Sequence, residues 1–565
     1  MKNRKYIYAL LFVLANCLAC ADYLDKDPKT DTSLSYEKIF KDPHLAPGFL
    51  NNAYNSLPDG FTHWGSNGNS MLASACDEAK HSEAGSVVQL FNNNAITSTY
   101  NPDDVWSTMY AGIRKCNIFL KELDGLIAKY NSIPEGDRPN YKGQALFLRA
   151  YFHFELLKRY QNIIYVNKVL DPFNEDEIYS LKQSKFREAV DLIAQDCDSA
   201  AAYLPAKLSA DGSQNGRPTK AAPMAVKARM LLYAASPLNN PSNDIALWKR
   251  AEDAAKAIYD LRSTLGLALE ASYSGIFTNP YNGEIIFATQ ANNRNDIERF
   301  NYPISYQGSG LTNPTQELVD NYAMNSTYYN APMNGYDPTR PYYNREDRFN
   351  ATILCNNATF KDAPVESFVG GKDGLYSTTT ATKTGYYMRK FINASINLEK
   401  NEMSRRPWIL YRYAEVLLNY AEARNEELDK PDQTIHDLLN LIRNRAKLRP
   451  FRSAAEYIQT KEEMRDYIKK ERRIELALEE HRFWDLRRWK DAEKALNQPI
   501  HGMRIEKVND GTNDQGNPVF HFTYTPFEVE KRTFDPKFYW YPIPRSEILK
   551  YKSKGMDLIQ NQGWD

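Results

Sequence analysis

Gly143-Gln-Ala-Leu-Phe-Leu-Arg-Ala-Tyr-Phe-His-Phe-Glu-Leu-Leu-Lys-Arg-Tyr160 is the stretch whose reading decides the fold class. Ala145, Leu148, Phe152 and Leu156 follow one another at spacings of three and four, the period of one helix face, with Arg149, Lys158 and Arg159 off that stripe. Working outward, Ala221, Ala225, Ala228, Leu232 and Ala235 repeat the pattern, with Thr219 as the expected N-cap, Pro223 tolerable in the first turns and Ser236-Pro237 as the stop. From Trp408 to Asn425 the stripe is Leu410, Tyr413, Leu417 and Tyr420, flanked by Ala414, Ala421 and Ala423. Small residues repeated on helix faces let neighbouring helices approach closely. The pattern therefore predicts an all-α fold of stacked helix pairs, a tetratricopeptide-like superhelix, although no strict repeat is present.

Between these helices lie Pro58 to Asn101, Asn279 to Arg389 and His501 to Tyr539, which are rich in Asn, Gly, Ser, Thr and Tyr and have no helical period. Glu284-Ile-Ile-Phe287 and His521-Phe-Thr-Tyr524 alternate and read as short strands. Loops of this length in a compact protein usually carry function. The expectation is a helical frame with long irregular loops and a few short strands.

The chain has 565 residues with 71 Lys plus Arg against 71 Asp plus Glu, so no global positive field draws it to nucleic acid. Aromatic residues make up 13%, more than a core of this size needs, which points to rings used for contact. Lys2, Arg4 and Lys5 precede an apolar run from Tyr6 to Ala19, too short to span a bilayer but suited to a signal peptide over residues 1–19. The run ends at Cys17-Leu-Ala-Cys20, which fits cleavage before Cys20 and acylation of its thiol, as in bacterial lipoproteins. Residues 20–34 are polar and acidic and read as a tether. Residues 35–565 then form a single unit, with an N-terminal half of about 35–240 and a C-terminal half of about 280–565. Cys76, Cys116, Cys197 and Cys355 allow two bridges at most, too few to be the main support.

Catalytic motifs are missing. There is no His-Glu-x-x-His, no Gly-x-Ser-x-Gly and no phosphate loop, since Asp373 follows Gly371-Lys372. Asp211 to Gly216 opens like a calcium loop, but Ala222 stands where the bidentate Glu belongs. Glu471, Glu475 and Glu479, four residues apart, read as a structural ion-pair stripe, with Arg472, Arg473, Arg482, Arg487 and Arg488 as the expected cations. His481 and Asp485 could share a metal, but the paired Glu-x-x-His segments of di-iron bundles are missing. The reading names no metal, no cofactor and no catalytic residue.

Many segments resemble, in order, the SusD-like (RagB) nutrient-binding lipoproteins of the Bacteroidetes outer membrane. They include Cys20-Ala-Asp-Tyr-Leu-Asp25, Asp77-Glu-Ala79, Phe147 to Leu156, Pro218 to Ala222 with Ala228 to Pro237, and Asn313-Pro-Thr-Gln-Glu-Leu-Val-Asp320. The series continues with Arg412 to Ala423, Glu471 to Arg488, Tyr541 to Glu547 and Gln560-Asn-Gln-Gly-Trp564. The resemblance implies four tetratricopeptide-like helix pairs, glycan capture at the cell surface without catalysis, and a lid over a TonB-dependent, SusC-like β-barrel transporter. Capture of oligopeptides by a similar lid, and a helical glycoside hydrolase, are the rival readings.

One face of a pyranose ring packs its C–H groups on an aromatic ring, while its hydroxyls need donors and acceptors at the edge. The loops offer both. Phe61, His63, Trp64, Phe91 and Tyr100 lie with Asn67, Asn92, Asn93 and Asp77, while Tyr302 and Tyr306 follow Asn292, Asn293 and Arg294. Each ring taken singly reads as loop packing, and as an ensemble they favour a ligand. The resemblance implies a sugar site built from the segment after Asp-Glu-Ala and a mid-chain loop, which maps onto Asp77 to Tyr100 and Asn292 to Tyr306. The family's tryptophans do not align in the first segment, where Phe91 and three Asn stand instead. The expected glycan contacts are His63, Trp64, Asp77, Phe91, Asn93, Asn293, Arg294, Tyr302 and Tyr306. Trp64 is foremost, because Gly60, Gly65 and Gly68 around it suggest an exposed loop.

Overall fold

The computed structural model describes residues 35–64, 69–209, 212, 214–324, 336–375 and 377–564. The expected signal peptide, the tether with Cys20, and Gly65, Asn67, Gly68 and Asp211 lie outside the described residues. The longer helices are α1 (Leu45–Tyr54), α2 (Trp106–Asp124), α3 (Arg138–Tyr160), α4 (Phe186–Tyr203), α5 (Ala221–Ala235), α6 (Ile245–Leu265), α7 (Tyr413–Glu427), α8 (Gln433–Arg445), α9 (Lys461–Glu475), α10 (His481–Arg488) and α11 (Arg545–Ser553). From α1 to α8 each packs on its predecessor in the chain, and α9 packs on α7, giving the tetratricopeptide-like stack that the periodicity predicts.

Helix α3 shows how the stack is held. Leu148, Phe152 and Leu156 are fully buried, as the stripe requires, but Arg149 and Arg159 off it are buried as well, and only Lys158 is partly open. Arg149 donates through Nε and Nη2 to Asp196 of α4, at 2.8 and 2.6 Å, and through Nη1 to Asn117 of α2 at 2.9 Å. A Cβ on Gly112 of α2 would stand 2.6 Å from the Phe152 ring, so the α2–α3 approach depends on glycine there.

Helix ends follow local chemistry. Asp244, Asp432 and Thr460 cap α6, α8 and α9 by accepting from backbone N–H groups of the first turn, and Gly266 closes α6 in the left-handed conformation. At α5 the expected cap is displaced: Lys220 occupies the N-cap position and Thr219 makes no side-chain cap. The helix expected from Trp408 starts only at Tyr413.

Ile409–Arg412 is a strand, paired antiparallel with Ile285–Ala288. In chain order the strands named here are β1 (Ala79–His81), β2 (Ile285–Ala288), β3 (Asn292–Arg294), β4 (Thr312–Pro314), β5 (Ser404–Arg406), β6 (Ile409–Arg412), β7 (Ile500–Thr512) and β8 (Pro518–Glu530). The pairs β1–β4, β2–β6, β3–β5 and β7–β8 are all antiparallel. The run at His521 is part of a hairpin with 13-residue strands, much longer than the alternation suggested. All four cysteines of the described body are unpaired and buried.

The stripe from Glu471 to Glu479 is an ion-pair network, but its cations are not the neighbouring arginines. Glu475 accepts from Arg348, Arg412 and Arg445, Glu471 accepts from Arg348, and Glu479 accepts from Arg412 and Lys390. Burial opposes the charge of Glu475, yet Arg445, Arg412 and Arg348 hold its carboxyl well below the usual range. The neighbouring arginines are taken elsewhere. Arg472 and Arg488 pair with Asp485, Arg473 and Arg482 pair with Asp77, and Arg487 donates to the Phe483 and Phe538 carbonyls. Asp485 is thereby committed to two guanidinium groups rather than to a metal shared with His481.

Candidate functional site

The two loops singled out by sequence are brought together. Strand β1 pairs with β4, and the Ser82 N–H donates to the Leu311 carbonyl. Arg294 on β3 pairs with Asp59 at 2.7 Å and with neighbouring Asp296, and its guanidinium lies 5.1 Å from the Phe61 ring centroid. Tethering by short strands and one arginine is what residues without helical period can offer, because their backbone groups must find partners outside a helix.

Most of the expected contact residues stand behind this surface rather than on it. Trp64 is 7% exposed, with its ring stacked on Phe91 at 5.5 Å and 23°, and Phe91 in turn meets Phe483 and Tyr541. The glycines around Trp64 do not mean exposure. A Cβ on Gly60 would stand 2.2 Å from the Trp408 ring, so that glycine serves close packing. Tyr302 is fully buried, its hydroxyl donating to the Asn393 and Ile396 carbonyls.

Asp77 receives Nε and Nη2 of Arg482, both at 2.8 Å, and Arg473 at 3.1 Å. Burial would raise its pKa, but the two arginines hold it well below the ordinary value. His63 sits between Glu480 at 2.8 Å and Asp103 at 2.9 Å. Burial disfavours its charge, but the two carboxylates raise its pKa to about 10, so the ring is an imidazolium pin at neutral pH. These five side chains are corrected from ligand contacts to supports of the loop layer.

Asn93 and Asn293 remain exposed, and Arg294 and Tyr306 are half-buried. Tyr306 packs edge-on against Phe360 at 4.9 Å. Across β3–β5, Asn293 pairs with Arg405, whose Nε donates to the Ala291 carbonyl and whose guanidinium lies 5.8 Å from the ring centroid of Tyr281. Tyr281 is 45% exposed and borders a cleft of about 250 Å3 together with Lys207, Asn215, Arg217 and Thr219. An open phenol ring, a planar guanidinium and amide groups along one edge can together receive the two faces of a sugar. Sequence reasoning missed Tyr281 and Arg405. The available signal was Asn279-Pro-Tyr-Asn-Gly283, a turn-forming run that carries an aromatic outward.

Carboxyl groups with raised pKa are the mark of a general acid. Burial, then Asp77, raises Glu78 to about 8, and burial is also the leading cause at Glu284, Glu298 and Glu346. These four side chains are at most 1% exposed and none lines the cleft, so no glycosidic oxygen could reach them. Asp320, also raised by burial, is exposed but accepts from Gln316 and stands outside the cleft lining.

Residues 272–564 match the family described as "SusD family", and residues 22–232 match one described as "Starch-binding associating with outer membrane". A SusD-like protein of Bacteroides fragilis NCTC 9343 is 26% identical, with a TM-score of 0.73 over 95% of this chain and 100% of that one. A SusD-like carbohydrate binding protein of the same organism is also 26% identical, with a TM-score of 0.72 over 91% of this chain and 99% of that one. SusD-like protein P38 of Formosa agariphila is 24% identical over 90% of this chain and 95% of its own length. The first match spans more than half of the sequence, and the helical stack carrying a loop layer agrees with it: the chain belongs to the SusD family.

Proposed function

We propose that this protein captures glycans at the outer face of the outer membrane and passes them, without catalysis, to a TonB-dependent SusC-like β-barrel, while acyl chains on Cys20 hold it to the lipid. The observation that carries the binding reading is the open Tyr281 ring at the edge of the cleft, with Arg405 beside it and Asn293 opposite Arg405 across the strand pair. The match to a family described as starch-binding and associating with the outer membrane supports it, as does likeness to a solved carbohydrate binding protein. Asn93, Arg294 and Tyr306 belong to the same loop layer and are proposed as its polar and aromatic margin.

The test is an array of immobilised glycans and oligopeptides, followed by calorimetry on the best ligand. Glycan binding that falls in Tyr281→Ala is expected. Peptide binding without glycan binding would replace this reading with oligopeptide capture, and bond cleavage in the same mixtures would show a hydrolase. Cys20→Ala should release a folded protein from the membrane, since only the acyl chains are proposed to anchor it. Purification from native membranes should recover a β-barrel partner with the wild-type protein.

A further inference from the structure

A second pocket lies in the helical frame, lined by none of the residues assigned to the loop surface. It has a volume of about 390 Å3, within the range of small-ligand sites, and is enclosed by the α5–α6 connection, α6, α7, α9 and the residue after α10. Trp248 and Trp489, 2% and 6% exposed, show the cavity only part of their rings and wall it together with Pro237 and Pro241. Both indole N–H groups are used inside the protein, Trp248 donating to Asn243 at 2.8 Å and Trp489 to Glu422 at 2.7 Å. What the two rings and the two prolines offer a ligand is therefore apolar carbon.

The charged groups at the same cavity are paired but keep hydrogen-bonding capacity. Arg465 holds Glu426 through Nε and Nη2, each at 2.6 Å, while its Nη1 has Glu462 only at 4.0 Å. Lys469 gives one bond to Asp491 at 2.6 Å and has two further protons, and its Nζ lies 4.8 Å from the Trp489 ring centroid. Arg465 and Lys469 are 33% and 24% exposed, so a ligand can reach them. Glu422, also on the wall, is held by Arg488, and all three pairs cancel in charge. An ionic ligand would meet no net counter-charge here, and a wholly apolar one would strip water from Arg465 and Glu426 without replacing it.

Apolar carbon on the walls, no net charge, and spare donors and acceptors at the mouth suit a neutral polyhydroxylated ring. We propose that this pocket is a saccharide site separate from the loop surface, taking one neutral hexopyranose unit against the wall of Pro237, Pro241 and the two tryptophans, with its hydroxyls on Arg465, Lys469 and Glu426. Two sites on one chain would raise the effective concentration of a long glycan at the protein.

The experiment uses the full chain carrying 5-fluorotryptophan, with the 19F signals of Trp248 and Trp489 assigned by Trp248→Phe and Trp489→Phe. Glucose, galactose, mannose, maltose and cellobiose are titrated in turn. At least one sugar should shift these two signals saturably in the millimolar range. Lys469→Phe, which fills the mouth, should weaken that shift at least tenfold, and Tyr281→Ala should leave it unchanged. Lys469→Leu is the milder plug should the phenylalanine variant not fold. Signals that stay fixed with all five sugars, or that shift equally in the plugged variant, overturn the proposal. Glycan binding lost in Tyr281→Ala but kept in the plugged variant would at the same time leave the loop-surface reading standing.

Discussion

In α3 the polar partners of buried Arg149 sit on the helices before and after it in the chain, Asn117 on α2 and Asp196 on α4. Around Glu475 they come from three separate stretches that carry Arg348, Arg412 and Arg445. The first region is stabilised mainly by apolar area, and its polar groups are satisfied by near neighbours. The second gains little net stability from its attractions, because desolvation offsets them, but it penalises any arrangement that leaves one charge alone. The comparison teaches that the same degree of burial has different consequences. A truncation in the helical stack leaves a cavity, whereas a truncation in the network withdraws a carboxylate from several buried guanidinium groups at once.

The sharpest way to break that comparison is Glu475→Ala. It takes one carboxylate away from three arginines at once, though Arg348 keeps Glu346 and Glu471, Arg412 keeps Glu284 and Glu479, and Arg445 keeps Glu284. The cost should be about 3–5 kcal/mol, the scale of breaking one buried pair. Urea denaturation would measure it, and a loss smaller than that of Leu148→Ala would break the distinction. Trp64→Ala comes next, at about 3–5 kcal/mol, because a fully packed ring is removed from its stack with Phe91. That variant should keep its glycan affinity wherever it remains folded, and reduced affinity at unchanged stability would return Trp64 to the ligand surface. Leu148→Ala in α3 should cost about 2–5 kcal/mol through transfer and cavity formation alone, with no dependence on salt.

His63 sharpens the comparison through pH. Its pKa is about 10 in the folded protein against an ordinary 6.5. The stability it contributes is fully present below about pH 6.5 and is lost as pH rises through 10, because only the folded state keeps the proton in that window. Denaturation midpoints should decline over this range in the wild type and decline less in His63→Gln. Equal slopes would show that Glu480 and Asp103 do not hold an imidazolium. The smallest stability effect is expected at Tyr281→Ala, within about 0.5 kcal/mol for an exposed surface side chain. The same substitution should cost about 1–3 kcal/mol of glycan affinity if the ring is the platform.

Legibility followed the range of the interactions. The stripes of α3 and α5 were readable because helical period is a property of contiguous residues. Ile409–Arg412 reads as helix because its apolar residues continue into α7 with compatible spacing, and only pairing with β2 makes it a strand. The acidic stripe from Glu471 was rightly seen as structural, but its counter-ions were assigned to sequence neighbours. In the fold, Arg412 reaches Glu284, 128 residues away in the chain, as well as Glu475 and Glu479. Of the candidate site, the meeting of the two loops could be expected, but the exposure of individual rings could not. Glycine near an aromatic signals close packing as readily as an open loop, and Gly60 against Trp408 is the packing case.

By itself the sequence determined the helical class, the stacked arrangement and the family, since each is written in local period or in motifs whose order survives translation into any fold. It also pointed to the two long loop regions for the ligand surface proposed above. Only the tertiary structure decided which side chains face water. It turned Trp64, Phe91 and Tyr302 inward, tied His63 and Asp77 to partners hundreds of residues away, and left Tyr281 open beside Arg405. Exposure depends on what every other segment covers, so it cannot be read from the residues around a ring.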